Sequence, residues 1–220
     1  MFRSTEEAIG TIAVLAMMLL IAFPIHEFAH ALAAWRLGDG TAKLLGRLTL
    51  NPLAHFDPVG GTILAVSMLL GSGIVIGWAK PTPVNTYNLR GGRQGDALVS
   101  FAGPLANLVL AVAAAIPFRV VLALMPDAGL LLFILYLFVQ VNVALMVFNL
   151  IPLPPLDGSH VLLAALNPRT SWRVKAILEQ YGSLILMVLV FLPAIAGGFS
   201  PLRIVFEVVA WPITKLLLGL

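Results

Sequence analysis

The sequence predicts an all-α polytopic membrane protein with about five transmembrane helices, a re-entrant segment and a small membrane-associated β element. Three observations predict this class. First, the 220 residues are 60% hydrophobic and only 10% charged, with mean hydropathy +1.01, whereas a soluble domain carries roughly 25% charged residues. Second, apolar runs near 8–37, 97–117, 129–150, 183–199 and 202–219 are long enough to cross about 30 Å of hydrocarbon. Third, the polar stretches between them carry turn signals and no soluble module, so residues 1–220 are expected to form a single membrane-embedded domain.

Along the chain, Arg3 followed by an apolar stretch resembles a secretory signal. No small-residue cleavage site follows, and the run continues into His26-Glu27-Phe28-Ala29-His30, so the segment is expected to be retained. Thr41 to Leu50 is compatible with a β strand, and Asn51-Pro52 and Asp57-Pro58 then mark turns. The run from Gly60 to Ala79 is interrupted by Gly71-Ser72-Gly73, and Lys80 to Asp96 reads as a polar surface loop. The basic residues are scattered among apolar spans, which gives no support for nucleic-acid binding. The chain has no cysteine, so a bound metal must be held by histidine and carboxylate.

The H-E-x-x-H pattern at 26–30 places two imidazoles one helical turn apart on one face, as a tetrahedral metal requires. The glutamate between them is placed to take a proton from a water at the metal. Three ionisable groups within five residues are costly in hydrocarbon and call for a functional reason. The bland alternative is a satisfied buried histidine pair. Pro24 frees the Leu20 carbonyl, and alanines at 29, 31, 33 and 34 allow close helix approach.

A third protein ligand is needed, and the candidates are His55, Asp57, Asp157 and His160. Asp157 ends a Pro-rich, non-helical stretch that can turn a carboxylate back to a metal, although a plain turn explains the local sequence equally well. His55 and Asp57 read better as turn residues, with Asp57 capping the helix that follows. For His26, His30 and Asp157 to meet, the helices before each must run in the same direction, with an odd number of crossings between them. That makes 60–79 the re-entrant segment.

Charge gives a separate reason for that topology. With 60–79 re-entrant, Arg36, Lys43, Arg47, Lys80, Arg90, Arg93, Arg169, Arg173, Lys175 and Lys215 fall on one side, leaving Arg3, Arg119 and Arg203 on the other. The positive-inside rule then puts the N-terminus outside and the metal site toward the cytoplasmic face of the cell membrane.

HEFAH on a membrane helix, Ala102-Gly103-Pro104-Leu105-Ala106-Asn107 in a middle span, and Phe148-Asn149-Leu150-Ile151-Pro152 leading to Leu156-Asp157-Gly158 resemble the site-2 protease family of intramembrane zinc metalloproteases. The resemblance covers about Phe23 to Leu162. It is greatest to the compact bacterial members, through Gly46 to Pro52 and Gly77 to Pro81. It implies that His26, His30 and Asp157 bind Zn2+, that Glu27 is the general base, and that Asn149 helps hold the substrate or its oxyanion. It also implies a transmembrane protein as substrate and the lipid bilayer as surroundings. Where the family often has Gly-Gly-Arg, this chain has Gly158-Ser159-His160, so His160 either assists the site or caps or solvates a helix. Thr41 to Leu50 would offer substrate a sheet edge or form an ordinary hairpin. Asn107 would serve the site or join two helices. Two other classes compete: a membrane metal carrier, since intramembrane histidine and carboxylate also mark ion paths, and an inactive binder of membrane segments. Glu27, a base beside a ligand, favours the hydrolase.

Overall fold

The computed structural model of the chain describes residues 5–70, 76–196 and 198–220. Helix α1 (Thr5–Met17) passes through a π-helical turn at Met18–Ala22 into α2 (Phe23–Arg36). The widened turn has a cause in Pro24, whose ring nitrogen cannot donate to the Leu20 carbonyl. Despite the turn, Ile9–Arg36 is one apolar helix of 28 residues.

The stretch expected to be β is helical instead: α3 (Thr41–Leu44) is followed by turns, and the described residues contain no strand. Local hydrogen bonds override the β-compatible composition here. Asp39 Oδ1 accepts from both the Thr41 N–H (3.1 Å) and its hydroxyl (2.6 Å), which starts a helical turn. Gly46, at φ +70°, then reverses the chain so that the Arg47 N–H reaches the Ala42 carbonyl at 2.8 Å. The short α4 (Pro52–His55) and then α5 (Pro58–Leu69) follow, each opened by the expected Asn-Pro or Asp-Pro signal.

After α5 the chain returns along it. Ser67 Oγ accepts from the Ile76 N–H at 3.1 Å, and the Lys80 N–H donates to the His55 carbonyl at 2.9 Å. Glycines make the close approach possible. A Cβ on Gly77 would lie 2.3 Å from that of Leu64, and one on Gly60 would lie 2.3 Å from the Trp78 carbonyl oxygen. Residues 76–80 therefore lie along α5, with Lys80 beside the His55 end. The Gly71-Ser72-Gly73 interruption itself lies outside the described residues.

Helix α6 (Arg93–Leu124) is the central element, packed against α2, against α7 (Gly129–Asn149) and against α8 (Gly158–Ala165). Ala111, Ala114 and Ala115 give α6 a small-residue face against Val139, Val143, Met146 and Val147 of α7, the close packing that helices in lipid favour. Contacts Val99–His30 and Asn107–His26 run α6 antiparallel to α2, and the short 125–128 connection runs it antiparallel to α7. Thus α2 and α7 point the same way, with α6 as the crossing between them.

Helix α9 (Pro168–Ile195) completes a set of four helices long and apolar enough to cross a membrane, namely Ile9–Arg36, Arg93–Leu124, Gly129–Asn149 and Pro168–Pro193. The last apolar run, expected as a fifth span, is a continuous helical path through α10 (Pro201–Val205), a π turn at Phe206–Ala210 and α11 (Trp211–Leu218). It carries Arg203, Glu207 and Lys215, which disfavours burial of its whole length in hydrocarbon. Outward-facing Val109, Ile116, Leu184 and Val188 are exposed, as expected of a multi-pass membrane protein.

Candidate metal centre

His26 and His30 lie on the face of α2 that meets α6, and both rings are buried. Gly103 of α6 makes room for them. A Cβ there would stand 2.4 Å from His30 Nε2 and 2.6 Å from His26 Nε2, so any larger residue would drive into the rings. Each imidazole is oriented through its other nitrogen. His30 Nδ1 lies 2.7 Å from the Val99 carbonyl, which can only accept, so that nitrogen carries the proton. His26 Nδ1 lies 2.6 Å from Asn107 Oδ1. The Asn107 amide is oriented in turn, donating to Asn142 Oδ1 at 3.0 Å, while Asn142 donates to the Phe138 carbonyl at 2.9 Å. This relay ends on an obligate acceptor and gives His26 the same tautomer as His30. Both Nε2 lone pairs therefore face each other at 3.0 Å.

Asp157 closes the cluster. Its carboxylate oxygens lie 3.3 Å from His26 Nε2 and 3.4 Å from His30 Nε2. The local chain explains how it gets there. The end of α7, the turns of 150–156 and the start of α8 fold tightly together: a Cβ on Gly158 would lie 2.2 Å from the Leu150 carbonyl oxygen, so only glycine follows the aspartate. Asp157 begins α8 but its side chain makes no capping bond, and its buried Oδ2 has no hydrogen-bond partner. That observation excludes the plain capped-turn reading of the carboxylate.

Two converging lone pairs and an orphaned carboxylate oxygen are complementary to a cation. Ligands about 2.0–2.2 Å from a tetrahedral zinc lie about 3.3–3.6 Å apart, close to the observed 3.0, 3.3 and 3.4 Å. The three residues are the one such cluster of His, Asp and Glu among the described residues. The donor set fits zinc and leaves a fourth position for water or substrate.

The other candidates separate from this cluster. The Glu27 carboxylate accepts from the Thr82 N–H and hydroxyl, both at 2.7 Å. Asn149 Nδ2 donates to the Leu145 carbonyl of its own helix at 2.9 Å. Asn107 joins two helices and also orients His26, so its two readings coincide. Asp57 caps α5, accepting from the Val59 and Gly60 N–H groups, and His55 is the buried last residue of α4, bonded to the Thr49 carbonyl. His160, expected to assist the site or cap a helix, instead pairs with Asp96 of α6 at 2.7 Å. That contact holds its imidazole above the ordinary value, against the opposing effect of burial.

Sequence reasoning missed the roles of Gly103, Asn142 and Thr82. Asn142 carried a signal, being one of the few polar residues in an apolar run. Gly103 stood inside a recognised motif without a stated purpose, and Thr82 carried no signal beyond its two flanking prolines.

A family model described as "Peptidase family M50" matches residues 115–192, which include Asn149 and Asp157. YwhC of Bacillus subtilis, by its name a candidate zinc metalloprotease, is 37% identical over 188 residues, covering 81% of this chain and 80% of YwhC. The chain belongs to peptidase family M50, the site-2 protease family. Two mycobacterial relatives bear the name Rip2, likewise as candidate zinc metalloproteases. The Mycolicibacterium smegmatis protein is 37% identical over 195 residues and the Mycobacterium tuberculosis protein 32% over 192. In each case 87% of this chain and 70% of the relative are covered. No solved structure matches this M50 protein. The family is zinc-dependent, so the chain is a zinc metalloprotease by class and the metal-carrier alternative loses its ground.

Proposed function

We propose that residues 1–220 form one membrane-embedded zinc endopeptidase that cuts peptide bonds in or near transmembrane segments of membrane-protein substrates. The observation carrying this reading is the depth of the metal cluster. His30 and His26 lie six and ten residues before Arg36, the last residue of a 28-residue apolar helix. At 1.5 Å per residue that is about 9 and 15 Å along the helix axis, within the half-thickness of a hydrocarbon core of about 30 Å. The substrate bond must come to that depth.

His26, His30 and Asp157 would hold the zinc. When bound, zinc supplies a Lewis acid that polarises the scissile carbonyl and makes a water nucleophilic near neutral pH. Glu27, adjacent to His26 in sequence, would take the proton from the attacking water and return it to the departing amine. Asn149 would donate to the oxyanion, an effect worth about 3 kcal/mol in soluble proteases. In this conformation its amide is turned to Leu145, so that role requires a side-chain rotation. The hairpin formed by α5 and residues 76–79 would be the re-entrant segment, supplying polar backbone at membrane depth. The site would face the cytoplasm across the cell membrane, because the basic residues gather at its end of the helices.

The test compares reconstituted protein with Glu27→Gln on a model membrane substrate. Both should hold zinc, and only the first should cleave, the variant losing roughly 10²- to 10⁴-fold in rate. Equal cleavage by both would remove Glu27 as the base. Zinc binding without cleavage by either would return the protein to the inactive-binder reading.

A further inference from the structure

Glu27 stands apart from the metal cluster in one respect: its carboxylate is held by a segment outside every helix. The Thr82 N–H and Oγ1 both lie 2.7 Å from Oε2, and Oγ1 lies 3.0 Å from the Glu27 carbonyl oxygen. Oε1 takes no hydrogen bond among the described residues. Thr82 sits between Pro81 and Pro83, which fix their own φ and carry no N–H. The segment therefore has no ladder of its own to join, and its position is set by its anchors.

Those anchors are buried and polar. Arg47, only 6% exposed, donates from Nη2 to the Lys80 carbonyl (2.5 Å) and the Pro81 carbonyl (3.0 Å). The Lys80 N–H is tied to the His55 carbonyl. Beyond Thr82, fully buried Asp39 accepts from the Asn85 N–H (2.8 Å) and Asn88 Nδ2 (3.2 Å), and the Arg90 N–H bonds the Leu37 carbonyl (2.8 Å). Residues 80–90 thus form a strap. Arg47 and His55 fix one end and the C-terminal end of α2 fixes the other, and between them Thr82 hydrogen-bonds Glu27.

We infer that Thr82 is a positioning residue for the base: it pins Oε2 and leaves Oε1 to receive the proton. This inference rests on the reading of Glu27 as the base. A free glutamate samples several rotamers, and the two Thr82 donors remove that freedom before substrate arrives. The backbone N–H survives any ordinary substitution, so the hydroxyl carries the testable part.

The experiment uses the full chain, zinc-loaded and reconstituted, as wild type, Thr82→Val, Thr82→Ser and Glu27→Gln. Valine keeps the shape and loses the hydroxyl. It should lower kcat roughly 10- to 100-fold, the range for one hydrogen bond to a charged group, with KM, zinc content and thermal stability unchanged. Serine should restore kcat. A second readout is independent of turnover: affinity for a zinc-chelating hydroxamate, whose acidic hydroxyl needs a carboxylate acceptor, should fall in Thr82→Val and not in Thr82→Ser. Full kcat in Thr82→Val while Glu27→Gln is inactive would overturn the inference and leave the base in place. Full activity in Glu27→Gln would overturn the reading beneath it. Loss of zinc or of thermal stability in Thr82→Val, or equal impairment in Thr82→Ser, would show Thr82 to be merely structural.

Discussion

Each donor atom of the candidate metal centre depends on a residue outside the cluster. Asn142 is two hydrogen bonds from His26, yet it orients the Asn107 amide that sets the tautomer of that ring. Asn142→Leu would leave the buried Asn107 amide unpaired, at a cost of about 1–3 kcal/mol. Outer-shell losses of this kind weaken metal binding about 10- to 100-fold. Gly103→Ala should act more directly, since its Cβ would lie 2.4 Å from His30 Nε2. A zinc titration of the purified protein against a competing chelator checks both, and unchanged affinity in both variants would remove the supporting roles of Asn142 and Gly103. The two histidines of the cluster were legible in the sequence because four-residue spacing on a helix puts two imidazoles on one face without further help, whereas Asp157 stood out through the family resemblance and not through its local sequence. Gly103, Asn142 and Thr82 were not legible, because their roles exist only once α6, α7 and the strap are packed against α2.

At the scale of elements, the junctions are set by short polar contacts more than by the apolar pattern. Asp39 shows this best. Burial alone would raise its pKa, but the hydrogen bonds from Thr41, Asn85 and Asn88 hold it below the usual carboxylate value. Its contribution is therefore present above the unfolded value of about 3.9 and lost as pH falls through the folded value. The Thr41 contacts also open α3 where a β stretch was expected at 41–50, since propensity over ten residues could not reveal a carboxylate bonded to Thr41. The His160–Asp96 pair, which joins α8 to the first turn of α6, has the opposite sign. Asp96 raises the His160 pKa above its ordinary value of about 6.5. Burial and Lys175 oppose that shift, and Asp157 adds to it. The pair therefore stabilises fully below the unfolded value and is lost as pH rises through the folded one. Thermal unfolding of wild type and Asp96→Asn should differ most below about pH 6.5 and converge in more alkaline buffer. A difference that grows with pH would refute the pairing.

Across the whole molecule, the apolar pattern showed a membrane bundle but did not fix how many times it crosses. Length alone cannot separate a lipid-spanning helix from one that packs on its neighbours, and with Arg203, Glu207 and Lys215 the last run stands outside the four helices long and apolar enough to cross. Contacts also correct one charge assignment. Arg119 donates to the Leu216 and Leu217 carbonyls, so Lys215 lies at the Arg119 end of α6 and not with Arg36. The opposite end of α6 keeps Arg93, bonded to the Leu166 carbonyl, so the basic asymmetry survives the change. If the α5 hairpin returns within the membrane, the strap and the 166–172 connection share one face, while the 125–128 turn lies on the other. The absence of cysteine makes this directly measurable. Tyr87→Cys, at 98% exposure, and Trp172→Cys, at 76%, should react with an impermeant maleimide only from the cytoplasmic side, and Met125→Cys, at 59%, only from outside. Labelling of Leu44→Cys, at 88% exposure, and Tyr87→Cys from opposite sides would make 58–79 a full crossing. In that case α2 and α7 would reach the cluster from opposite faces of the membrane, and the 3.4 Å His30–Asp157 contact would have to form between them there.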